Sequence, residues 1–385
     1  MKSSMYTFAE ELDQWPRERI LALIESATSG DVTRALRNPD RGPADFAALL
    51  SPHAWARMED IAREAQRITR RNFGRTISLY APIYISNVCG ADCTYCGYAV
   101  RSGNREKRVT LSPDQLRREC AALVEQGFQS VLLLTGEARY AVSPEDITEA
   151  VAVAREVFPS VSIEVYSMDS ADYERLSTIG LDGVTIYMET YDREVYNQVH
   201  LLGEKADYDY RLDAIERAGR AGARKLNIAV LLGLSEWRVD AFRTALHARY
   251  LQRACWQSSI AVSFPRLSHV PERFHIPQLV GDVELVQYML AMRLYLPEAP
   301  LVLSTREVPA LRDRLLTLGI THMSAGSSTR PGGYATHGEE VLEQFALEDH
   351  RSPAEVEAVI RRAGYDPVWK DFDRAFDTTA TPGGR

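Results

Sequence analysis

The sequence predicts an α/β protein, a (β/α)8 TIM-type barrel with a helical N-terminal extension and a C-terminal segment. Three observations carry this. Short β-branched runs recur eight times from about residue 78, each is followed by a crossover long enough for a helix, and 385 residues accommodate one barrel with extensions. Strand and helix alternating in this way is the signature of a parallel sheet. A count of eight favours closure over an open doubly wound sheet, which usually has fewer strands.

The first 75 residues read as helical, because Glu18–Ser26, Pro43–Leu50 and Ala54–Ile68 repeat apolar residues at three- and four-residue spacing. Asp40–Pro43 and Ser51–Pro52 break that rhythm. The barrel strands are expected at Ser78–Ser86, Ser130–Leu134, Ser160–Tyr166 and Gly183–Tyr187, then at Lys225–Leu231, Ser259–Phe264, Leu301–Ser304 and Ile320–Ser324. Between them lie the helix-like stretches Pro113–Gln126, Pro144–Val157, Ala171–Thr178, Asp207–Ala221, Arg238–Arg253, Val283–Leu296 and Ala310–Leu318. A turn-rich stretch, Ala325–Gly338, precedes a last helix near Pro353–Ala363, and the small polar residues Asp377–Arg385 read as a frayed end. The expected division is a helical extension (1–75), the barrel (76–330) and a C-terminal segment packing on it (331–385).

Composition narrows the function. Lys plus Arg total 45 against 53 Asp plus Glu, a net charge of −8, which argues against a nucleic-acid partner. The longest apolar runs, such as Val131–Leu134 and Ile228–Leu232, are too short to span a bilayer. The opening residues lack the apolar core of a signal peptide. Five cysteines, an odd number with three crowded into eight residues, disfavour a disulfide framework, so a reduced cytoplasmic setting is expected.

Those three cysteines are the strongest feature: Cys89-Gly-Ala-Asp-Cys93-Thr-Tyr-Cys96, a CxxxCxxC just after the first barrel strand. Three thiolates on one tight loop can hold three corners of a four-iron cluster and leave one iron open, much as a catalytic zinc site keeps a position free. A three-ligand zinc site or a chance group of buried thiols are the alternatives. Zinc asks for a fourth Cys or His, and neither His53 nor His200 completes a familiar zinc spacing. Cys120 and Cys255 read as small core residues.

CxxxCxxC followed by Gly97–Tyr98 at the end of a first barrel strand resembles the radical S-adenosylmethionine enzymes. The resemblance implies a [4Fe-4S] cluster on Cys89, Cys93 and Cys96 whose open iron chelates S-adenosyl-L-methionine, and an electron that releases a 5′-deoxyadenosyl radical. It also implies roles for four further segments, in the family's order and near the barrel's active face. Gly136–Glu137 looks like the motif that holds the cofactor amino group. Glu189 resembles the acid that meets the ribose. Arg211 is similar to the arginine that clamps the cofactor carboxylate, a task suited to guanidinium. Ala229-x-Leu231-x-Gly233-x-x-Glu236 looks like the stretch that lies along the adenine, and Tyr95 and Tyr98 on the cysteine loop are placed to wall the cluster and touch adenine.

The resemblance extends to the aromatic amino-acid lyases of that superfamily, through Tyr80–Asn87, Thr135–Glu137, Glu189–Glu194, Ser263–Leu267, Leu303–Glu307 and Met323–Ser327. Arg330–Ala335, Pro367–Asp371 and Ala65–Gly74 point to the tyrosine lyases of thiamine biosynthesis, whereas Met188 and Tyr166–Ser167–Met168 depart from their pattern, the latter toward the tryptophan lyases. No cysteine follows Cys255, unlike the hydrogenase-maturing relatives with a second cluster. The implied reaction is cleavage of the Cα–Cβ bond of L-tyrosine to 2-iminoacetate and p-cresol, with the first hydrogen taken from the amino group. Arg306, at the end of the seventh strand, is the candidate for the substrate carboxylate, and Ser304 and Ser324 resemble the hydroxyl partners. A structural pair between Arg306 and Glu307, and loop capping by either serine, are the plainer readings. Implied partners are thiazole synthase and an electron donor such as flavodoxin or ferredoxin. Two alternatives stay open: a lyase for another aromatic amino acid such as L-tryptophan, and a non-catalytic iron–sulfur carrier, which needs the three cysteines but not Glu137, Arg211 or Arg306.

Overall fold

The computed structural model describes residues 6–338 and 340–370. Nine strands form one sheet: β1 (Thr76–Ser86), β2 (Ser130–Thr135), β3 (Ser160–Glu164), β4 (Gly183–Glu189), β5 (Lys225–Val230), β6 (Ser259–Ser263), β7 (Leu301–Leu303), β8 (His322–Ser324) and β9 (Asp366–Val368). Every pairing between them is parallel, and β1 pairs with both β8 and β2, so the first eight close into a barrel. This is the expected TIM-type architecture. The ninth strand was not expected; it lies parallel to the start of β1, with Thr76 opposite Asp366. The Asp377–Arg385 end falls outside the described residues, as does Asp371.

The barrel forms because its strands bury apolar residues on both faces, against the helices outside and against one another inside. In β2 the four residues Val131–Leu134 are all buried. The crossover helices start on strong local signals. Ser112-Pro113, Ser143-Pro144 and Ser352-Pro353 each place a serine cap before a first-turn proline, closed by Gln115, Asp146 and Glu355 in reciprocal capping boxes.

Differences from the expected elements have local causes. The stretch Asp207–Ala221 breaks into two helices, Tyr208–Leu212 and Ala214–Arg220. The Tyr210 carbonyl accepts from the Arg217 guanidinium at 2.7 Å, whereas a continuous helix would use it internally. Ala54–Ile68 becomes a 3-10 turn, Pro52–Arg57, followed by a helix that runs on to Phe73. Helices Phe8–Asp13 and Ser29–Arg37 were not expected, although each opens on a capping box, Thr7 with Glu10 and Thr28 with Asp31.

One apolar core joins all three regions, running from Phe8, Ile20 and Phe46 through the strands to Val356, Ile360 and Tyr365. The N-terminal helices lie against the barrel helices Trp237–Ala254 and Asp282–Tyr295. Arg41 anchors them, donating to the Leu294 carbonyl at 3.2 Å from a buried position. Among the described residues no helix is long and apolar enough to cross a membrane.

Candidate active site

The C-terminal ends of the strands open into one chamber, where a barrel places its chemistry. Cys93, Cys96, Tyr95, Glu189, Ser304, Arg306 and Ser324 all line it. These seven come from the cysteine loop and from three different strand ends, β4, β7 and β8, so the fold gathers most of the site expected from sequence.

The cysteine loop is held from two sides. An antiparallel bridge ties it to residues 199–202: Thr94 N–H donates to the Val199 carbonyl at 2.9 Å, and Leu201 N–H to that of Asp92 at 3.0 Å. On the other side Asn87 donates to the Leu342 carbonyl at 2.9 Å, and Tyr98 donates its hydroxyl to the Thr329 carbonyl at 2.7 Å. Tyr98 is therefore a buried strut of the loop and does not line the chamber. Tyr95 does, with its hydroxyl 2.8 Å from His200 Nε2. The other ring nitrogen of His200 lies 2.9 Å from the Tyr196 carbonyl. With both nitrogens engaged, His200 is no fourth ligand for a zinc ion.

The three thiols are near enough to act on one another, with Cys93 buried and Cys89 and Cys96 partly so. Burial pushes Cys89 up to about 11, with the neighbouring Cys96 adding to it, and raises Cys93 and Cys96 in the same way. Three such thiols ionise together only against compensating positive charge, which a bound metal centre provides. Among the described residues no three ligand groups converge as a single ion requires. A cluster does not ask for that, because each thiolate meets a different iron. The donor set thus fits a three-cysteine cluster.

Beside the loop sit two linked ion pairs. Gly136 passes so close to the chain after β1 that a Cβ there would stand 2.2 Å from the Val88 carbonyl oxygen. Gly90 N–H in turn donates to the Glu137 carbonyl at 2.9 Å. The Glu137 side chain accepts from Arg211 at 2.9 Å, and the same guanidinium donates to the Tyr187 carbonyl at 2.8 Å. Glu189 is the one non-glycine residue with positive φ among the described residues, at 67°. Such a conformation costs about 1–3 kcal/mol and persists where surroundings impose it. Here a register shift at the end of β4 imposes it, turning the carboxylate to Lys205, whose Nζ is 2.6 Å away. Burial alone would push the Lys205 ammonium down, yet the Glu189 charge holds it above the usual lysine range. Lys205 carried no signal in the sequence; it lies in the 3-10 turn Glu204–Ala206 and only the fold brings it to Glu189. Gly233 turns at a φ of 115°, two residues past the chamber-lining Leu231.

Across the chamber Arg306 stacks on Phe345, its guanidinium carbon 3.4 Å from the ring centroid. It has no carboxylate partner among the described residues. Glu307, its alternative partner, is taken by Arg266, whose Nη2 lies 2.6 Å from Oε2. Ser304 and Ser324 do serve the loop: Oγ of Ser304 accepts from Arg306 N–H at 3.4 Å and Oγ of Ser324 from Thr305 N–H at 3.1 Å. Both still line the chamber. Tyr166 and Met188, where the sequence departs from the thiamine-pathway pattern, are buried away from it, and Tyr166 donates to the Val142 carbonyl at 2.8 Å. Sequence reasoning missed Glu164, Tyr84 and Gln344 as lining residues. For Glu164 a signal existed, the one charged residue in the strand run Ser160–Tyr166.

The chain matches the model of the radical SAM superfamily over residues 83–245 and that of the biotin and thiamin synthesis associated domain over residues 263–366. It is 43% identical to 2-iminoacetate synthase of Escherichia coli (strain K12), across 96% of this chain and 97% of that protein. It is 42% identical to the 2-iminoacetate synthase of Salmonella typhimurium (strain LT2), with the same coverage of both chains. A crystal structure of HydG, a maturase of the [FeFe]-hydrogenase, superposes with a TM-score of 0.87 at 29% identity, covering 93% of this chain and 81% of that one. With the cysteine loop and the chamber it faces, these similarities show that the chain belongs to the 2-iminoacetate synthase family of radical SAM enzymes.

Proposed function

We propose that the chamber binds L-tyrosine against Arg306 and presents it for cleavage of the Cα–Cβ bond to 2-iminoacetate and p-cresol, the step that supplies the thiazole of thiamine. The lyase activity is that of the family; the residue roles are our reading. The observation that carries it is the unpaired Arg306 guanidinium in the same chamber as Cys93 and Cys96. A carrier of iron–sulfur clusters has no use for that cation, nor for the ion pairs at Glu137 and Glu189.

When bound, the [4Fe-4S] cluster and S-adenosyl-L-methionine supply the 5′-deoxyadenosyl radical. Cys89, Cys93 and Cys96 hold the cluster. Glu137 and Arg211 are assigned to the methionine end of the cofactor, Glu189 with Lys205 to the ribose, and the chain from Leu231 to Gly233 to the adenine. Arg306 takes the substrate carboxylate in a two-pronged contact that fixes both position and direction. Ser304 and Ser324 brace the loop that carries it and offer hydroxyls to the substrate. Leu231, Phe264, Leu267 and Phe345 exclude water from the radical.

Thiazole synthase, as receiver of the readily hydrolysed iminoacetate, and flavodoxin or ferredoxin, as electron donor, belong to the same reading, as does a cytoplasmic setting for five free cysteines. The test is anaerobic turnover of cluster-loaded protein with S-adenosyl-L-methionine, a low-potential reductant and either L-tyrosine or L-tryptophan. Tyrosine-dependent 5′-deoxyadenosine with p-cresol and glyoxylate is the expected result. Deoxyadenosine without p-cresol would discard the substrate, and none from well-loaded protein would favour the carrier.

A further inference from the structure

Two opposite charges are left without partners in the chamber. Of the charged side chains that line it, Glu189 is paired with Lys205, and His269 Nε2 faces Glu348 at 3.4 Å. That leaves Arg306 and Glu164. Glu164 is the last residue of β3, in register with Leu134 of β2, and its side chain is half-buried with its carboxylate open to the chamber. No hydrogen bond or ion pair holds that carboxylate among the described residues. The nearby tyrosine hydroxyls do not bond to it: Tyr84 donates to Gln344 Oε1 at 2.6 Å, and Tyr187 and Tyr80 lie beside Ser263 and Ser324.

We infer that Glu164 receives the α-ammonium group of the substrate, opposite the carboxylate held by Arg306; the inference rests on the tyrosine-lyase reading above. The charges match: a free amino acid is a zwitterion, and the chamber offers one unpaired cation and one unpaired carboxyl. Their positions match too. β3 and β7 stand four strands apart in an eight-stranded ring, and the side chains of Glu164 and Arg306 both reach inward to act on Tyr84 and Tyr187. An acid kept half-buried without a partner is costly, and a cationic ligand removes that cost. Burial, with the charge of Glu189 added, pushes the Glu164 carboxyl up to about 7, Arg306, Lys205 and Arg211 opposing. An arriving ammonium favours the ionised form. Glu164 thereby selects for an amino group and fixes the nitrogen from which a hydrogen is to be taken.

The test compares three ligands on protein loaded with cluster and S-adenosyl-L-methionine: L-tyrosine, 3-(4-hydroxyphenyl)propanoate (which lacks the amino group) and L-phenylalanine (which lacks the phenol). Affinities are read by calorimetry for wild type and Glu164→Gln. Wild type is expected to prefer tyrosine over the propanoate by at least about tenfold, one charged hydrogen bond. In Glu164→Gln that preference falls toward one while the tyrosine-to-phenylalanine ratio holds. An unchanged preference overturns the proposal, and so does collapse of the tyrosine-to-phenylalanine ratio, which would put Glu164 at the phenol. If wild type ignores tyrosine, the substrate assignment has failed, and L-tryptophan against 3-indolepropanoate repeats the comparison for Glu164. Should the variant lose its cluster, a crystal structure of wild type with bound substrate decides: the amino nitrogen lies within hydrogen-bond distance of the Glu164 carboxylate or it does not.

Discussion

Lys205 Nζ stands 2.6 Å from Glu189 Oε1, and both side chains are about nine-tenths buried. The pair joins a carboxylate in a strained backbone position to a cation 16 residues later, on the segment that also zips the cysteine loop. Its geometry links the cluster loop, the end of β4 and the wall of the chamber.

Lys205→Met removes the cation and leaves Glu189 buried with only the more distant Arg211, 4.0 Å away. Breaking a buried pair from one side costs about 3–5 kcal/mol. Denaturant unfolding of the cluster-free protein should show that loss, and Lys205→Arg should recover part of it. Full stability in Lys205→Met would mean that the pair is solvated.

Arg306→Lys keeps the charge but loses the planar fork. If Arg306 grips the substrate carboxylate, KM for tyrosine rises roughly ten- to a hundredfold, the weight of one charge-assisted hydrogen bond. Affinity for S-adenosyl-L-methionine stays unchanged, because Arg306 follows β7 and makes no contact with Glu137 or Arg211, which bond to each other. A shift in cofactor affinity with KM intact would reassign the residue.

Gly136→Ala places a methyl group against the Val88 carbonyl and 3.1 Å from Cys89 Cβ. The backbone must move by enough to cost roughly 1–3 kcal/mol, and the cysteine loop moves with it. Iron content and the cluster's visible absorption after reconstitution should fall sharply. Cys120→Ala is the contrasting control. Cys120 is buried in the helix Pro113–Glu125, away from the loop, and its variant should load iron normally.

Acid should destabilise the fold through two buried histidines. Burial pushes His247 down to about 3 and His200 down to about 2, both below the unfolded value near 6.5. The unfolded chain therefore binds protons first, so stability is intact above pH 6.5 and falls as pH drops from there toward 3. Each histidine contributes up to about 1.4 kcal/mol per pH unit in that window. His247→Gln should lower the slope of stability against pH between 6 and 4 by about one proton; an unchanged slope would show that His247 titrates normally.

Much of this protein was legible in one dimension. Eight strand runs with their crossovers determined the barrel, because β-branched runs and helix-capping signals such as Ser143-Pro144 act over a few residues. The CxxxCxxC spacing placed three candidate ligands together for the same reason: they sit on one loop. Even Arg306 could be placed, since the end of a barrel strand is a defined address.

Tertiary structure decided what depends on contacts across the ring. Lys205 reaches Glu189 only because residues 199–202 bridge to the cysteine loop. Tyr98 turned out to brace that loop from beneath, because the segment around Thr329 folds back to receive its hydroxyl. Arg306 is free because Arg266, 40 residues earlier, takes Glu307. Glu164 faces the chamber without a hydrogen bond among the described residues, and the Tyr84 hydroxyl has turned to Gln344 instead. Sequence specifies which groups are present and the local rules they obey. Which charges end up paired is settled only when the barrel closes, since pairing depends on distances between strands that are remote in the chain and on the burial that makes an unpaired charge costly.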